Sequence, residues 1–513
     1  MNYADLFRVT LPETALEIAA LLVLVVDLGL LRKAVLRVRV AVAALLGVAG
    51  CVAALWTLQF QGSGGLALEG SKDLLLATGG FVQVAQSGIL VLTALTLLLL
   101  IDSVFTRHVG EYVAVVLMAA AGGLLIAGAQ DLLVIFVGLE LLSLGLYILT
   151  AFAKSSGKSA EAALKYYLFG GMSAAFLLFG FSYLYGITGS TNLHQIMLTS
   201  FFASGSGAAP LLYVALVMVG AGLAFKVAAV PFHLWAPDTY EGAPTPAAAF
   251  IASVSKVASF ALLISIATAI AHIFGDTRTV RLVMVATGPV PKFLGAQIPW
   301  SIILTVFSVA SMVLGNLAAL AQVSVRRLLA YSAIAHAGYM LLALAFFSHT
   351  SSSASAVLYY ILTYGLTTIG AFGAVDVVQR ATGSDRMDAF LGLHKRNPLL
   401  AAVLLVLFLS LAGIPPLVGF WAKFNLFAAV LGTQAGVIPF ALVALAVAFS
   451  AVSLYYYLQV LKRAYVMSAV DETPIKAHPV TLLVLVLIAA AVVALGCFPD
   501  LLQGWISAFS SVV

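Results

Sequence analysis

Charge is what this chain has least of: 9% of its 513 residues are Asp, Glu, Lys or Arg, against about a quarter in a soluble domain. Cysteine is almost as scarce. Cys51 and Cys497 each sit inside an apolar run, far apart and without metal-ligand spacing, which excludes a disulfide framework and an iron–sulfur site. No redox centre is expected in the chain itself. The basic residues fall in short loops and form no continuous face, so the pI near 9.0 does not point to nucleic acid. The first residues, MNYADLFRVTLPE, lack the basic start of a signal peptide, and an uncleaved first helix is expected. What remains is apolar: 63% hydrophobic residues and a mean hydropathy of +1.12 describe a polytopic protein in a lipid bilayer.

A bilayer-crossing helix needs roughly 17–25 apolar residues, and the chain offers about fourteen such runs. They lie near 11–31, 40–60, 76–101, 111–128, 131–152, 161–187, 211–235, 243–272, 300–321, 328–347, 354–379, 398–431, 436–463 and 478–497. The fourth and fifth are parted only by Gly128-Ala129-Gln130-Asp131, read as a tight turn. Alternate loops should collect lysine and arginine on the cytoplasmic side. Arg8, Lys72, Arg278, Arg281 and Lys292 fall on one side, Lys226, Lys256 and Lys423 lie inside spans, and the other 17 of the 25 basic residues fall on the opposite side. That asymmetry predicts both termini outside, on the side away from the cytoplasm; only the loop 273–299, with three cations on the outer side, runs against it.

Two long spans contain proline: Pro231 follows Lys226 in the seventh, and Pro415-Pro416 precede Lys423 in the twelfth. Proline removes a backbone hydrogen bond, and at membrane depth that is tolerated where the freed backbone lines protein or water. Both helices should be discontinuous. Spans 4–8 and 9–13 then form five-helix units with the broken helix fourth, and because five is odd, the second unit enters from the opposite face, as in many transporters. The expected fold is an all-α polytopic membrane protein of two inverted five-helix repeats. Its expected divisions are 1–110 as a three-helix segment, 111–272 and 300–463 as the repeats, and 464–513 as a C-terminal helix.

An ionisable residue in a span marks a proton or ion path by default, because burying its charge is costly. Lys226, Lys256 and Lys423 are three such residues, and Glu140, near the centre of the fifth span, is a fourth. Paired, Glu140 and Lys226 can both stay charged. At about 4 Å and an effective dielectric near 20, their attraction is roughly 4 kcal/mol, comparable with the roughly 2.3 kcal/mol needed to move one charge through 100 mV. Such a pair can switch. The plainer reading is a structural ion pair, although an apolar pair would pack as well without the desolvation penalty. Lys256 and Lys423 have no carboxylate in their own helices and read as relay stations, with snorkelling to the interface as the alternative.

His336 in the tenth span and His233 beside Pro231 are further proton carriers or, equally, hydrogen-bonded core histidines. Asp238 and Glu241, in WAPDTYEGAPTP, could collect protons at an entrance or belong to a helix-capping loop. Glu13, Glu17 and Asp27 lie toward the ends of the first span, where interfacial solvation accounts for them.

The stretch FKVAAVPFHLWAPDTYEGAPTPAAAFIASVSKVASF, with VGLELLSLGLYIL before it and RRLLAYSAIAHAGYMLLAL after it, resembles the antiporter-like subunits of proton-pumping NADH:quinone oxidoreductase, respiratory complex I, over essentially the whole chain. By that resemblance Glu140 and Lys226 match the family's pair on helices 5 and 7, Lys256 its helix 8 lysine, and Lys423 its terminal site on helix 12. The middle subunit of that family has glutamate on helix 12 and the distal one a long lateral helix, so the chain is most similar to the subunit N branch. The resemblance implies proton movement driven by quinone reduction elsewhere. NADH, FMN, iron–sulfur clusters and quinone are then expected in partner subunits and no cofactor in this chain, with sibling antiporter-like subunits and peripheral subunits as partners. A subunit of a multi-subunit sodium/proton antiporter is the alternative. A passive scaffold is a third reading.

Overall fold

In the computed structural model the described residues are 3–61, 64–67, 74–103, 105–203, 209–275, 297–347, 351–433, 436–469 and 472–510. The helices are α1 (Leu11–Val25), α2 (Leu36–Leu58), α3 (Gly80–Leu100), α4 (Val109–Gly128), α5 (Leu132–Thr150), α6 (Gly157–Thr188), α7a (Ala209–Val227) and α7b (Trp235–Gly242), α8 (Thr245–Gly275), α9 (Gln297–Leu320), α10 (Val325–Ala345), α11 (Ser351–Thr382), α12a (Pro398–Ala412) and α12b (Val418–Thr433), α13 (Val437–Tyr465), α14 (Pro479–Cys497) and α15 (Asp500–Ser510). Short helices Tyr3–Val9 and Leu193–Ala203 and a two-stranded antiparallel sheet, Gly64–Ala67 with Leu74–Thr78, complete the main elements. Among the described residues twelve helices are long and apolar enough to cross a membrane, and the two pieces of α12 are shorter apolar helices. Lys72, Arg278, Arg281 and Lys292 lie outside the described residues, and with them the exceptional loop.

These segments are helical because hydrocarbon offers a peptide group no partner but its own helix. Their ends are set by side chains that satisfy the first free N–H groups. Asp131 accepts from the Leu133 N–H (2.9 Å), fixing the turn between α4 and α5. Ser324 and Asn397 do the same for α10 and α12a. Asp27 corrects the interfacial expectation: it is 1% exposed, takes two hydrogen bonds of 2.7 Å from Arg39, and accepts the Gly110 N–H at the start of α4. Glu13 is buried as well. The partners of Asp27 lie 12 and 83 residues away, which hydropathy along the first span cannot register.

Within each repeat the first two helices pack backbone to backbone through small residues, as membrane helices do. A Cβ on Gly122 of α4 would lie 2.7 Å from the Leu142 nitrogen of α5, and one on Gly338 of α10 would lie 2.8 Å from the Met312 nitrogen of α9. The two broken helices share one register. The Ala229 N–H reaches back five residues to the Ala224 carbonyl, and that of Ile414 to Leu409. Ala228 and Gly413 take left-handed backbone (φ 59° and 88°), and a cis X–Pro bond follows in each, Val230–Pro231 and Pro415–Pro416.

The halves run in opposite directions. α7b ends against the start of α10, where Arg326 donates to the Tyr240 and Ala243 carbonyls and, across to the end of α11, to Gln379. α12b ends beside Ser352 and Ser355, at the start of α11. The fold is the expected pair of inverted repeats. α8 lies at its centre, with 100% of its apolar window buried inside the chain against 22% for α13.

Candidate functional site

The two breaks leave backbone polar groups free inside the helix bundle, and each is closed by a side chain from its own second half. In α7, the Trp235 indole donates to the Phe225 carbonyl (3.0 Å) and stacks on Tyr166 of α6 with ring centres 4.2 Å apart. In α12, it is Lys423 that does this: its ammonium donates to the Leu411 (3.1 Å) and Ala412 (2.8 Å) carbonyls and to Ser450 Oγ of α13 (2.8 Å). A cation is favoured at a helix C-terminus by the peptide dipoles. In the shared register Leu411, not Lys423, corresponds to Lys226. The two lysines therefore reach comparable positions from opposite sides of their breaks.

Lys226 Nζ donates to Ser143 Oγ at 2.6 Å and lies 3.6 Å from Glu140 Oε1. The carboxylate oxygen has no hydrogen bond of its own, so Lys226 holds it by charge alone and is anchored by the serine. Lys256, on the fully enclosed α8, donates to the Ala333 carbonyl of α10 at 2.7 Å. It is 1% exposed and does not reach the surface of the protein, so snorkelling is excluded; Lys423, 6% exposed, is likewise inside the protein.

Between Lys256 and Lys423 stands a stripe of α10. Ala333, His336 and Tyr339 share one helix face, rising about 9 Å. The His336 Nδ1 is 2.8 Å from the Tyr360 hydroxyl, and its ring lies 4.8 Å from that of Tyr364. The Lys256 ammonium is 5.8 Å from the centre of Tyr364 and the Lys423 ammonium 5.7 Å from that of Tyr339. His336 Nε2 has no protein partner. A void of about 10 Å³ lies at the imidazole, lined by His336, Tyr360, Thr363, Thr367, Ser410 and Leu411 among others. It is at the lower limit for holding one water, among hydroxyl-bearing side chains.

The remaining sites named from sequence lie apart from this line. His233 is buried in the α7 break, with Nδ1 unpartnered. Asp238 and Glu241, on α7b, join a charge cluster on the basic face: Asp238 with Lys165 (2.8 Å) and Arg327 (2.7 Å), Glu241 with Arg327 (3.0 Å) and Lys158 (3.2 Å). Burial would raise both carboxyls; the hydrogen bonds from Lys165 and Arg327 to Asp238, and from Arg327 and Lys158 to Glu241, outweigh it and hold both below their usual values. Beside them opens a polar cavity of about 390 Å³, lined by Glu241, Arg326, Asp376 and Arg380 among others.

Sequence reading overlooked the tyrosines. Tyr339, Tyr360, Tyr364, Tyr456 and Tyr457 are all buried around the line, with Asn316 bridging the Tyr339 (3.1 Å) and Tyr456 (3.2 Å) hydroxyls. Their signal was present in HAGY, YYILTY and SLYYY, where a hydroxyl recurs inside apolar helices. Among the described residues no hydrogen bond joins Lys226 to Lys256 and no cluster of metal-binding side chains occurs.

The family described as NADH:quinone oxidoreductase/Mrp antiporter, TM, matches residues 129–298 and 268–451. Among individual proteins, NADH-quinone oxidoreductase subunit N 2 of Acidobacterium capsulatum is 48% identical over 99% of both chains. NADH-quinone oxidoreductase subunit N 1 of Roseiflexus castenholzii is 40% identical over 89% of this chain and 83% of its own. A solved chain in respiratory complex I from Thermus thermophilus superposes with a TM-score of 0.74 at 34% identity, over 96% of this chain and 98% of that one.

Proposed function

The chain belongs to the membrane family of NADH:quinone oxidoreductase and Mrp antiporters, as a subunit N homologue and a proton-translocating membrane-arm subunit with other complex I subunits as partners, and we propose that it moves protons along the buried line from Glu140–Lys226 through Lys256 and His336 to Lys423. Uptake is assigned to the basic face, at the polar cavity beside Glu241, with Asp238 fixing Arg327 there. His233 is assigned a secondary part at the α7 break. The divisions 111–272 and 300–463 then act as an input and an output half, flanked by 1–110 and 464–513. The basic face is assigned to the cytoplasm of a bacterial inner membrane and the termini to the periplasmic side.

The observation that carries this reading is the water-sized void at His336, between an enclosed lysine and one held by helix-end carbonyls. A water there accepts or donates at Nε2, while Nδ1 exchanges with Tyr360, so the imidazole can pass a proton between its two nitrogens. Lys256 and Lys423 need no carboxylate because carbonyl oxygens solvate their ammonium forms. Glu140–Lys226 supplies the switch. At 3.6 Å and an effective dielectric near 20, the attraction is about 4–5 kcal/mol; when the carboxylate moves away, the amine gives up its proton more readily and the next site receives it. Redox chemistry, with NADH, FMN, iron–sulfur clusters and quinone, is assigned to partner subunits.

Lys226→Ala in the assembled complex should abolish proton movement through this subunit in reconstituted vesicles; unaltered pumping with intact assembly refutes the assignment. A native gel of solubilised membranes stained for NADH oxidation should show the chain comigrating with that activity, which a free-standing sodium/proton antiporter would not.

A further inference from the structure

Asn316 of α9 is fully buried, and an amide taken out of water needs partners. Its Nδ2 donates to the Met312 carbonyl one turn back (2.7 Å) and to the Tyr339 hydroxyl of α10 (3.1 Å). Its Oδ1 accepts from the Tyr456 hydroxyl of α13 (3.2 Å). We propose that Asn316 is a positioning residue: it pins Tyr339 by the hydroxyl and so fixes the ring that neighbours both His336 and Lys423. The proposal rests on the relay reading given under Proposed function.

Three observations carry it. The first is that the amide can point one way only. A carbonyl accepts and never donates, so the atom beside the Met312 oxygen is Nδ2; Oδ1 then faces Tyr456, and the Tyr339 hydroxyl is held as an acceptor. The second is the closeness of the two backbones, for a glycine precedes each partner. A Cβ on Gly315 would lie 2.7 Å from the Ala335 nitrogen of α10, and one on Gly338 would lie 2.8 Å from the Met312 nitrogen of α9. The helices touch along this stretch, so the amide and the hydroxyl stay in register.

The third is the place of the ring itself. Its centre is 5.8 Å from that of His336 and 5.7 Å from the Lys423 ammonium, with the Phe427 ring edge-on at 6.0 Å. The Leu411 and Ala412 carbonyls and Ser450 take the hydrogen bonds of that ammonium, and the tyrosine face adds the attraction of its π electrons. Freed at the hydroxyl, the ring can turn away from the ammonium or into the space before His336. Either movement alters the one side chain that both relay members touch.

The test compares the full complex as wild type, Asn316→Leu, Tyr339→Phe and the double variant, by thermal dissociation and by the rate of NADH-driven proton uptake in inverted vesicles. Each single change leaves one buried polar group short of a partner and should lower stability; the double variant removes both and should regain part of the loss. Proton uptake should behave otherwise. Each single variant should slow it by about 2- to 30-fold, the range that a cation–π contact in a protein is worth. The double variant should be no slower than the slower single one, because both changes cut one link. A slowed proton step also takes a larger share of turnover, so heavy water should retard Asn316→Leu more than wild type. Uptake that recovers with stability in the double variant, a double variant slowed by the product of the two singles, or a heavy-water effect unchanged from wild type overturns the proposal. Wild-type uptake in either single variant, with Lys423→Met defective, overturns it and leaves the relay standing. Wild-type uptake in Lys423→Met overturns both.

Discussion

Removing the negative partner of Lys226 separates a proton switch from a structural lock. In Glu140→Gln the ammonium keeps its 2.6 Å hydrogen bond to Ser143 but loses the carboxylate at 3.6 Å. The full Coulomb attraction is about 4–5 kcal/mol at an effective dielectric near 20. Glu140 is 25% exposed at its side chain, so about 3 kcal/mol, the low end for breaking a buried pair, is the expected loss of stability. Adding Lys226→Met removes the uncompensated charge, and apolar replacement of a buried pair is typically near neutral, so the double variant should regain most of that loss. Both accounts agree up to this point and part on transport. A lock predicts that proton movement returns with stability; a switch predicts that it stays lost. The assay is the thermal dissociation of the purified complex, set beside proton uptake per NADH in inverted vesicles. A stable double variant that pumps at the wild-type ratio would falsify the switch.

Gly413→Ala places a Cβ 2.9 Å from Lys423 Cδ at φ 88°, where an L-residue costs about 1–2 kcal/mol; the ammonium should leave the Leu411 and Ala412 carbonyls and proton transfer should fail with assembly retained, as a gel and a vesicle assay would show. Ala422→Val adds two methyl groups beside a void of about 10 Å³ without altering any titratable group, and should slow proton transfer by about tenfold or more through loss of a positioned carrier; normal rates would exclude the water at His336. Asp238→Asn should lower stability by about 1 kcal/mol, the upper range for a partly exposed pair. Because the folded Asp238 carboxyl lies below its ordinary value of 3.8, its contribution is complete above that value and disappears as the pH falls through the folded one. Melting curves should therefore differ equally at pH 6 and pH 8 and converge in strong acid; a difference that grows from pH 6 to pH 8 would contradict the cluster.

The sequence by itself determined the membrane class, the spans, the two breaks and the identity of the buried cations. Hydropathy, proline and an isolated lysine each act through their immediate neighbours, so a linear reading finds them. It also paired Glu140 with Lys226, because few acids were available to a buried amine. Only the tertiary structure decided what the other charges touch. Lys423 turned back onto the carbonyls of its own first half, Asp27 met Arg39 inside the protein, and tyrosines from α10 and α11 gathered around His336. α15, with Leu502 and Ile506 packed on the core, was not visible as an element at all, since its eleven residues are too few to span and what their apolar side covers depends on the helices beside it. The physical reason is common to these cases. In an apolar solvent every helix is already satisfied along its backbone, so local pattern says that it forms, while the partners of its few polar side chains depend on which helices pack beside it.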